Sequence, residues 1–550
     1  MHALILLAFL LPLGTAALLL LRAVRPAARA AAPFTPLPAL ALAVLAPAGT
    51  TVEVPWLLLG ARFGVDETGR MFLLFTSFVW LIAGWFARGY LHGDQKRTRF
   101  WAFFLATQTG NLGLCLALDA ATFYLLFALM TFCGYGLVIH AGTAEALRAG
   151  RVYLAMAMLG EAMLVAGILL LVYSGQNNHY FDALAAAPVT QLHATLLLCG
   201  FGIKAGILLL HMWLPLAHPV APIPASAVLS GVMLKAGVLG WVRYLPLGSL
   251  ALPETGQVLM GVGLLAMFYG VAVGVTQSNM KVLLAYSSIS QMGFIALGVG
   301  AGLLAPQLWP LLLPAVTLYA FHHALAKSAL FLGCGVVAST RKRHRVLAAL
   351  AIPALALAGL TFTSGALVKS GLKVALADVP APWPAWLHWL LPLAAVGTTL
   401  LMARFMLLAA RRESNEHHRG MVLPWSLLLI AVLGSTWLLA PEGGFAYALK
   451  AGTLLSSTWP VVAGLILAAI AARSGRRVPA VPPGDLLLPV EKCLAWLGRC
   501  TLTAVSWLPS VLWDDRDLHL QLERIARHFT VERTVRGVLL LFIALTVARF

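Results

Sequence analysis

Apolar residues fall in long runs separated by short polar breaks. The runs lie near 3–22, 34–48, 69–92, 100–118, 120–140, 151–173 and 190–211. They continue near 224–247, 256–276, 280–301, 308–338, 347–376, 387–411, 421–440 and 446–472. A helix needs about 20 residues to cross a bilayer, so the pattern predicts an all-α polytopic membrane protein with about 14–16 transmembrane helices. The closing run "GVLLLFIALTVARF" is the candidate for the last of them. The opening run "MHALILLAFLLPLGTAALLLLR" has no basic residue before it and no cleavage site after it. It therefore reads as the first membrane helix and not as a signal peptide.

Composition agrees with the pattern. The 550 residues are 61% hydrophobic and 11% charged, against roughly 25% charged in a soluble domain. A single soluble core is excluded, because too little polar surface remains to face water. The net charge of +18 would suggest nucleic acid in a soluble protein. Here the basic residues collect in alternate loops: Arg22, Arg25 and Arg29; Arg88, Lys96, Arg97 and Arg99; Arg148 and Arg151; Lys281; "TRKRHR" at 340–345; Arg404, Arg411, Arg412 and Arg419; Arg473, Arg476 and Arg477. The intervening loops "SGQNNHYFDALAAAP", "ADVPAPWPAW" and "APEGG" carry none. By the positive-inside rule this places the N-terminus outside and makes the lipid bilayer, with no nucleic acid, the expected surroundings. Arg62 and Arg70 are exceptions, as is the inside-facing stretch His211–Pro224, which lacks basic residues.

Six cysteines form no CxxC pair. The four within apolar runs read as small buried hydrophobes. Neither an acidic cluster nor a cysteine set suits a metal or iron–sulfur centre, so no metal, no cofactor and no catalytic site of its own are expected. "GFGIKAG" lies inside an apolar run without a preceding strand and reads as helix packing, not as a nucleotide loop. Residues 473–536 mix prolines and charges, and read as a cytoplasmic-side tail, either amphipathic at the interface or on a partner, or a loose linker.

Ionisable residues at membrane depth cost about 2.5–3.5 kcal/mol each and usually mark ion or proton paths. The candidates are Glu161, Lys204, Lys235, His322, His323, Lys327, Lys369 and Lys373. His323 and Lys327 are spaced to share one helix face. Lys373, near a helix end, also fits a lysine reaching for the interface. Between Lys204 and Lys235 stand His211, Pro215, His218, Pro219, Pro222 and Pro224. That stretch predicts a helix interrupted at membrane depth, with water access near the lysines. "GLTFTSGALVKSGLK", with Gly365 ahead of Lys369, predicts a second interruption. The chain divides accordingly into 1–99 (three N-terminal helices), 100–247 and 256–411 (two related units, each with one broken helix), 421–472 (C-terminal helices) and 473–550 (tail).

The segments "HMWLPLAHPVAPIPASAVLSGVMLKAGVLGWVR", "NMKVLLAYSSISQMGFIALG" and "HHALAKSALFLGCG" resemble the antiporter-like proton-translocating subunits of respiratory complex I, hydrogenase-4-type membrane hydrogenases and Mrp cation/proton antiporters. The resemblance runs over about 60–440. It implies two inverted five-helix repeats, helices 4–8 and 9–13, in a bacterial cytoplasmic membrane. It implies that Lys204 and Lys235 are the lysines of the seventh and eighth helices. His323 and Lys327 would form the relay of the eleventh, and Lys369 the charged residue of the broken twelfth. The chain departs from the family in its fifth helix, "LLFALMTFCGYGL", where Ala128 stands in place of a glutamate. Either Glu161 takes over as the partner of Lys204, or this half-channel is altered.

The expected function is proton or cation translocation within a multisubunit energy-converting complex, with other membrane subunits and a soluble or peripheral catalytic subunit as partners. Two alternatives stand beside it. One is a subunit of a Mrp-type antiporter. The other is an ion-gradient-coupling partner of a soluble enzyme, as in dissolved inorganic carbon uptake. A scaffold that has lost transport is a fourth, bland option, which Ala128 keeps open.

Overall fold

The computed structural model describes residues 1–340, 342–412, 420–438, 451–474 and 481–487, together with positions 489 and 492. The expected final helix, most of the expected tail, Cys493 and Cys500 lie outside the described residues.

The protein is an all-α polytopic membrane fold. Three helices, α1 (His2–Leu18), α2 (Arg25–Ala31) and α3 (Leu37–Leu45), precede a hairpin of β1 (Thr50–Val54) and β2 (Ala61–Val65). Then come α4 (Glu67–Tyr90), α5 (Arg97–Leu116), α6 (Ala120–Val138), α7 (Ala144–Ser174), the single turn α8 (Phe181–Leu184) and α9 (Gln191–Ala205). Two short helices, α10 (Trp213–Val220) and α11 (Ile223–Val228), lead through a π-helical turn at Leu229–Met233 into α12 (Leu234–Tyr244). The second half holds α13 (Pro253–Gly274), α14 (Met280–Leu304), α15 (Trp309–Ser339), α16 (Arg343–Ala358), α17 (Ser364–Ala375) and α18 (Trp383–Arg411). The helices α19 (Val422–Leu438) and α20 (Ala451–Arg473) follow. Among the described residues, ten helical stretches are long and apolar enough to cross a membrane.

The hairpin is a feature that helical periodicity did not predict. It occupies the long loop after α3 and explains Arg62, an exception to the charge alternation. Arg62 meets Glu53 at 3.2 Å and Asp182 at 3.3 Å, and stacks over the Tyr180 ring. Arg70, the other basic exception, donates to the Ala46 carbonyl.

Burial is graded from the middle outward. The apolar windows of α14 and α15 are wholly enclosed, and the stretch Ile223–Tyr244 nearly so. The window of α20 is mostly exposed, as suits a lipid-facing helix. Helices α13 and α14 pack backbone to backbone. A methyl group added at Gly263 would stand 2.7 Å from the Gly293 oxygen, and one at Gly256 2.7 Å from the Gly300 oxygen. Small residues permit such approach where no hydrophobic force draws helices together in lipid. The result is a closely packed centre that carries Lys235, His322, His323 and Lys327.

Candidate functional site

The two interruptions are made the same way. At the end of α9, Gly206 is left-handed (φ +70°) and Ile207 N–H returns to the Gly202 carbonyl at 3.2 Å. At the end of α16, Gly359 is left-handed (φ +91°) and Leu360 N–H returns to the Leu355 carbonyl at 3.1 Å. This is the Schellman arrangement, which requires a residue that tolerates positive φ. Three residues after each glycine, a non-glycine residue also takes positive φ: Leu209 at 72° and Phe362 at 64°. Such backbone is uncommon for bulky side chains. Leu210 N–H then bonds Ile207 O at 3.0 Å, and Thr363 N–H bonds Leu360 O at 3.1 Å.

The prolines lie beyond the first interruption. Pro215 sits in the first turn of α10, where a missing N–H is tolerated. Pro219 is near that helix's end, and Pro222 and Pro224 open α11. They shape the two short helices, while Gly206 and Leu209 set the break. His211 lies between Gly206 and α10, buried, its ring 5.3 Å from that of Tyr269. His218 is buried and stacks on Phe331 at 4.6 Å, with neither ring nitrogen hydrogen-bonded.

A helix that stops at membrane depth leaves carbonyls unpaired. At the first break the Trp213 indole donates to Ile203 O at 2.7 Å. At the second the amine of Lys369, half-buried, donates to Leu357 O at 2.8 Å and Ala358 O at 2.9 Å. Gly365 packs so closely under the α16 terminus that a Cβ would overlap the Ala356 carbonyl oxygen. Lys373 is exposed one turn further on. Beside Lys369 a cavity of about 70 Å³ is lined by Ser370, Ser456 and Ser457, large enough for several waters by the measure of about 10–15 Å³ each.

Lys204 is buried at the end of α9 and donates to the Tyr153 hydroxyl at 3.1 Å. Tyr153 in turn donates to Thr131 O at 2.7 Å. Glu161 is buried on the same helix as Tyr153, and its Oε2 has no hydrogen-bond partner. Glu161 and Lys204 line one cavity of about 20 Å³ with Thr131, Tyr153 and Trp213, room for roughly one water. No ion pair closes between them. Ala128 lies one turn before Thr131 on α6, so a carboxylate there would project toward the same side of the cavity.

Lys235 is fully buried and donates to Ser230 O at 2.7 Å, a carbonyl within the π-helical turn. Such turns widen the backbone and are frequent at functional sites. Ser230 Oγ meets Ser288 Oγ at 2.8 Å. On α15, Lys327 donates to Leu284 O at 3.0 Å. His323, one turn before it, is fully buried without a hydrogen bond at either ring nitrogen. It lies within electrostatic reach of both Lys235 and Lys327. His322 shares Nδ1 with Ser364 Oγ at 2.8 Å and lies within reach of Lys235 and Lys369.

The bundle thus holds two groups of protonatable residues, Glu161 with Lys204 around one cavity, and Lys235, His323, Lys327, His322 and Lys369 near one another around α15. Each amine meets neutral carbonyl or hydroxyl oxygens, not a carboxylate. Each can hold a proton as an ammonium or pass it on as an amine without breaking an ion pair. Among the described residues no group of three histidine, cysteine or acidic side chains is placed to hold a metal ion. Tyr153, Trp213 and the π-helical turn are partners that sequence reading missed. The glycines ahead of each break were the available signal.

Residues 117–352 match the family described as NADH:quinone oxidoreductase/Mrp antiporter, TM. The chain is 30% identical to hydrogenase-4 component B of Escherichia coli (strain K12), over 51% of this chain and 44% of that protein. It is 26% identical to NADH-quinone oxidoreductase subunit N of Desulforudis audaxviator (strain MP104C), over 67% of this chain and 75% of that one. Its fold is similar to a chain of the Mrp complex from Dietzia sp. DQ12-45-1b. The TM-score is 0.71 at 20% identity, covering 99% of this chain and 62% of that chain. The alignment thus spans less than half the length of the hydrogenase component.

Proposed function

We propose that this chain, whose residues 117–352 match the NADH:quinone oxidoreductase/Mrp antiporter transmembrane family, is a proton-translocating membrane subunit of a multisubunit energy-converting complex. The observation that carries the reading is the set of amines within the bundle, Lys204, Lys235 and Lys369 beside interrupted or widened helices and Lys327 on the enclosed helix α15, each bonded to a neutral oxygen. A structural role alone does not account for Lys235 and Lys327, because an apolar side chain would fill the same space without the cost of a buried amine. The partners are other membrane subunits, with the driving chemistry held by a soluble or peripheral one. The repeated backbone pattern at Gly206 and Gly359 supports two related halves, each with its own half-channel. The charge alternation supports an N-terminus outside a bacterial cytoplasmic membrane.

The test is proton flux in vesicles holding the purified complex. Lys204→Ala and Lys235→Ala should abolish flux while the complex still assembles. Wild-type flux in either variant would overturn the reading. Sodium dependence of the wild-type flux would instead identify a cation/proton exchanger.

A further inference from the structure

The segment 481–487 follows α20 in sequence and lies against the helices around the first break. Gln277 Nε2, after α13, donates to Val481 O at 3.0 Å. Gly484 N–H donates to the Tyr286 hydroxyl at 3.3 Å. Gly484 has φ +73°, and a side chain there would press on Leu216 of α10. Leu487 is buried and belongs to the core. This strap places one carboxylate where α10, α13 and α14 converge. The Tyr269 hydroxyl donates to Asp485 Oδ2 at 2.6 Å, and the Tyr286 hydroxyl donates to Oδ1 at 2.7 Å. The two tyrosine rings flank His211, at 5.3 and 6.4 Å between centroids. His211 Nδ1 is buried without a protein hydrogen bond.

We propose that Asp485 is a proton-loading carboxylate, which exchanges protons between water at the rim and His211 in the first broken helix. This deepens the proposed function and rests on it. Asp485 is only partly buried, so water reaches it, whereas His211 is enclosed. In the loading step water delivers a proton to a carboxylate oxygen of Asp485. The proton then passes to an imidazole nitrogen of His211, through a tyrosine hydroxyl that gives one proton as it takes another, or through a water. The carboxylate is restored, and no redox partner or leaving group is needed. The titratable groups that face one another are His211 from the break, Tyr269 from α13, Tyr286 from α14 and Asp485 from the strap. An anchor alone would need only an acceptor for two hydroxyls, which an amide oxygen or a backbone carbonyl supplies. A carboxylate adds a site that binds and releases a proton beside a buried imidazole.

Asp485→Asn separates these roles, since the amide oxygen still accepts from a tyrosine but the side chain carries no proton. With full-length chain in its purified complex, Asp485→Asn should keep the melting temperature and lower vesicle proton flux at least about tenfold, the scale of a lost proton-transfer group. Asp485→Glu should restore most of the flux, which a purely structural contact would not do. Flux is normalised to assembled complex, so a folding defect does not mimic the effect. If Lys204→Ala abolishes flux while Asp485→Asn leaves it at the wild-type level, Asp485 is an anchor and the inference falls while the proposed function stands. If neither substitution changes flux, both fall.

Discussion

Lys204 donates to the Tyr153 hydroxyl at 3.1 Å and makes no ion pair with Glu161, although both line one water-sized cavity. The acid and the amine are therefore separated by room for about one water, with the tyrosine hydroxyl bonded to the amine. This relationship bears on how the chain works with Ala128 at the position where the family resemblance leads one to expect a glutamate.

If Glu161 serves as that acid, Glu161→Gln should cut proton flux by about 10²-fold or more, as the loss of a positioned acid–base group does. Adding Ala128→Glu to Glu161→Gln should recover flux, because position 128 lies one turn from Thr131 on the cavity's wall. Full activity in Glu161→Gln, measured in vesicles, would show that another group fills the role.

Lys369 has two tasks that can be separated. Its amine satisfies Leu357 O and Ala358 O at the end of α16, and the proposed function adds a second task, carrying a proton. Lys369→Gln keeps a donor for a carbonyl, so stability should hold while flux falls. Lys369→Leu loses both, and leaving buried carbonyls unpaired costs about 1–3 kcal/mol. Equal melting temperatures for the two variants would contradict the structural half of this account.

Gly365→Ala should damage the second break. The added methyl would overlap the Ala356 oxygen, and overpacking of this kind costs about 1–3 kcal/mol. The expected result is a lower melting temperature together with reduced flux. Gly371, with open space around its position, is the control: Gly371→Ala should leave both near wild type.

Acid should weaken the tie between α4 and α12. Asp66 caps α4 and pairs with Arg243, whose Nη2 lies 2.7 Å from Oδ1. Burial alone would raise the Asp66 carboxyl, but the hydrogen bonds and charge of Arg243 hold it below its ordinary value of 3.8. A carboxyl depressed in the folded state stabilises the fold above its unfolded pKa, and the gain is lost as pH falls through the folded value. Asp66→Asn should therefore melt lower than wild type at neutral pH. The gap should close as the buffer is taken below the ordinary carboxylate range. A gap that persists there would rule out the charge as its cause.

The sequence by itself determined the membrane class, the approximate helix positions and several of the buried ionisable residues, although Lys373 proved exposed and Asp119 and His140 were buried without being candidates. These follow from hydropathy and from the cost of charge in lipid, both of which act on residues one at a time. The positions of the prolines also pointed to the region of the first interruption. The tertiary structure alone decided where that interruption falls, because the turn depends on the backbone conformations of Gly206 and Leu209, not on the prolines nearby. It also decided what each amine touches. The Ser230 carbonyl reaches Lys235 through a π-helical turn, Leu284 O meets Lys327 from another helix, and Asp485 arrives from a segment far along the chain. Contacts between residues distant in sequence leave no period in it, so packing had to bring them together before they could be seen.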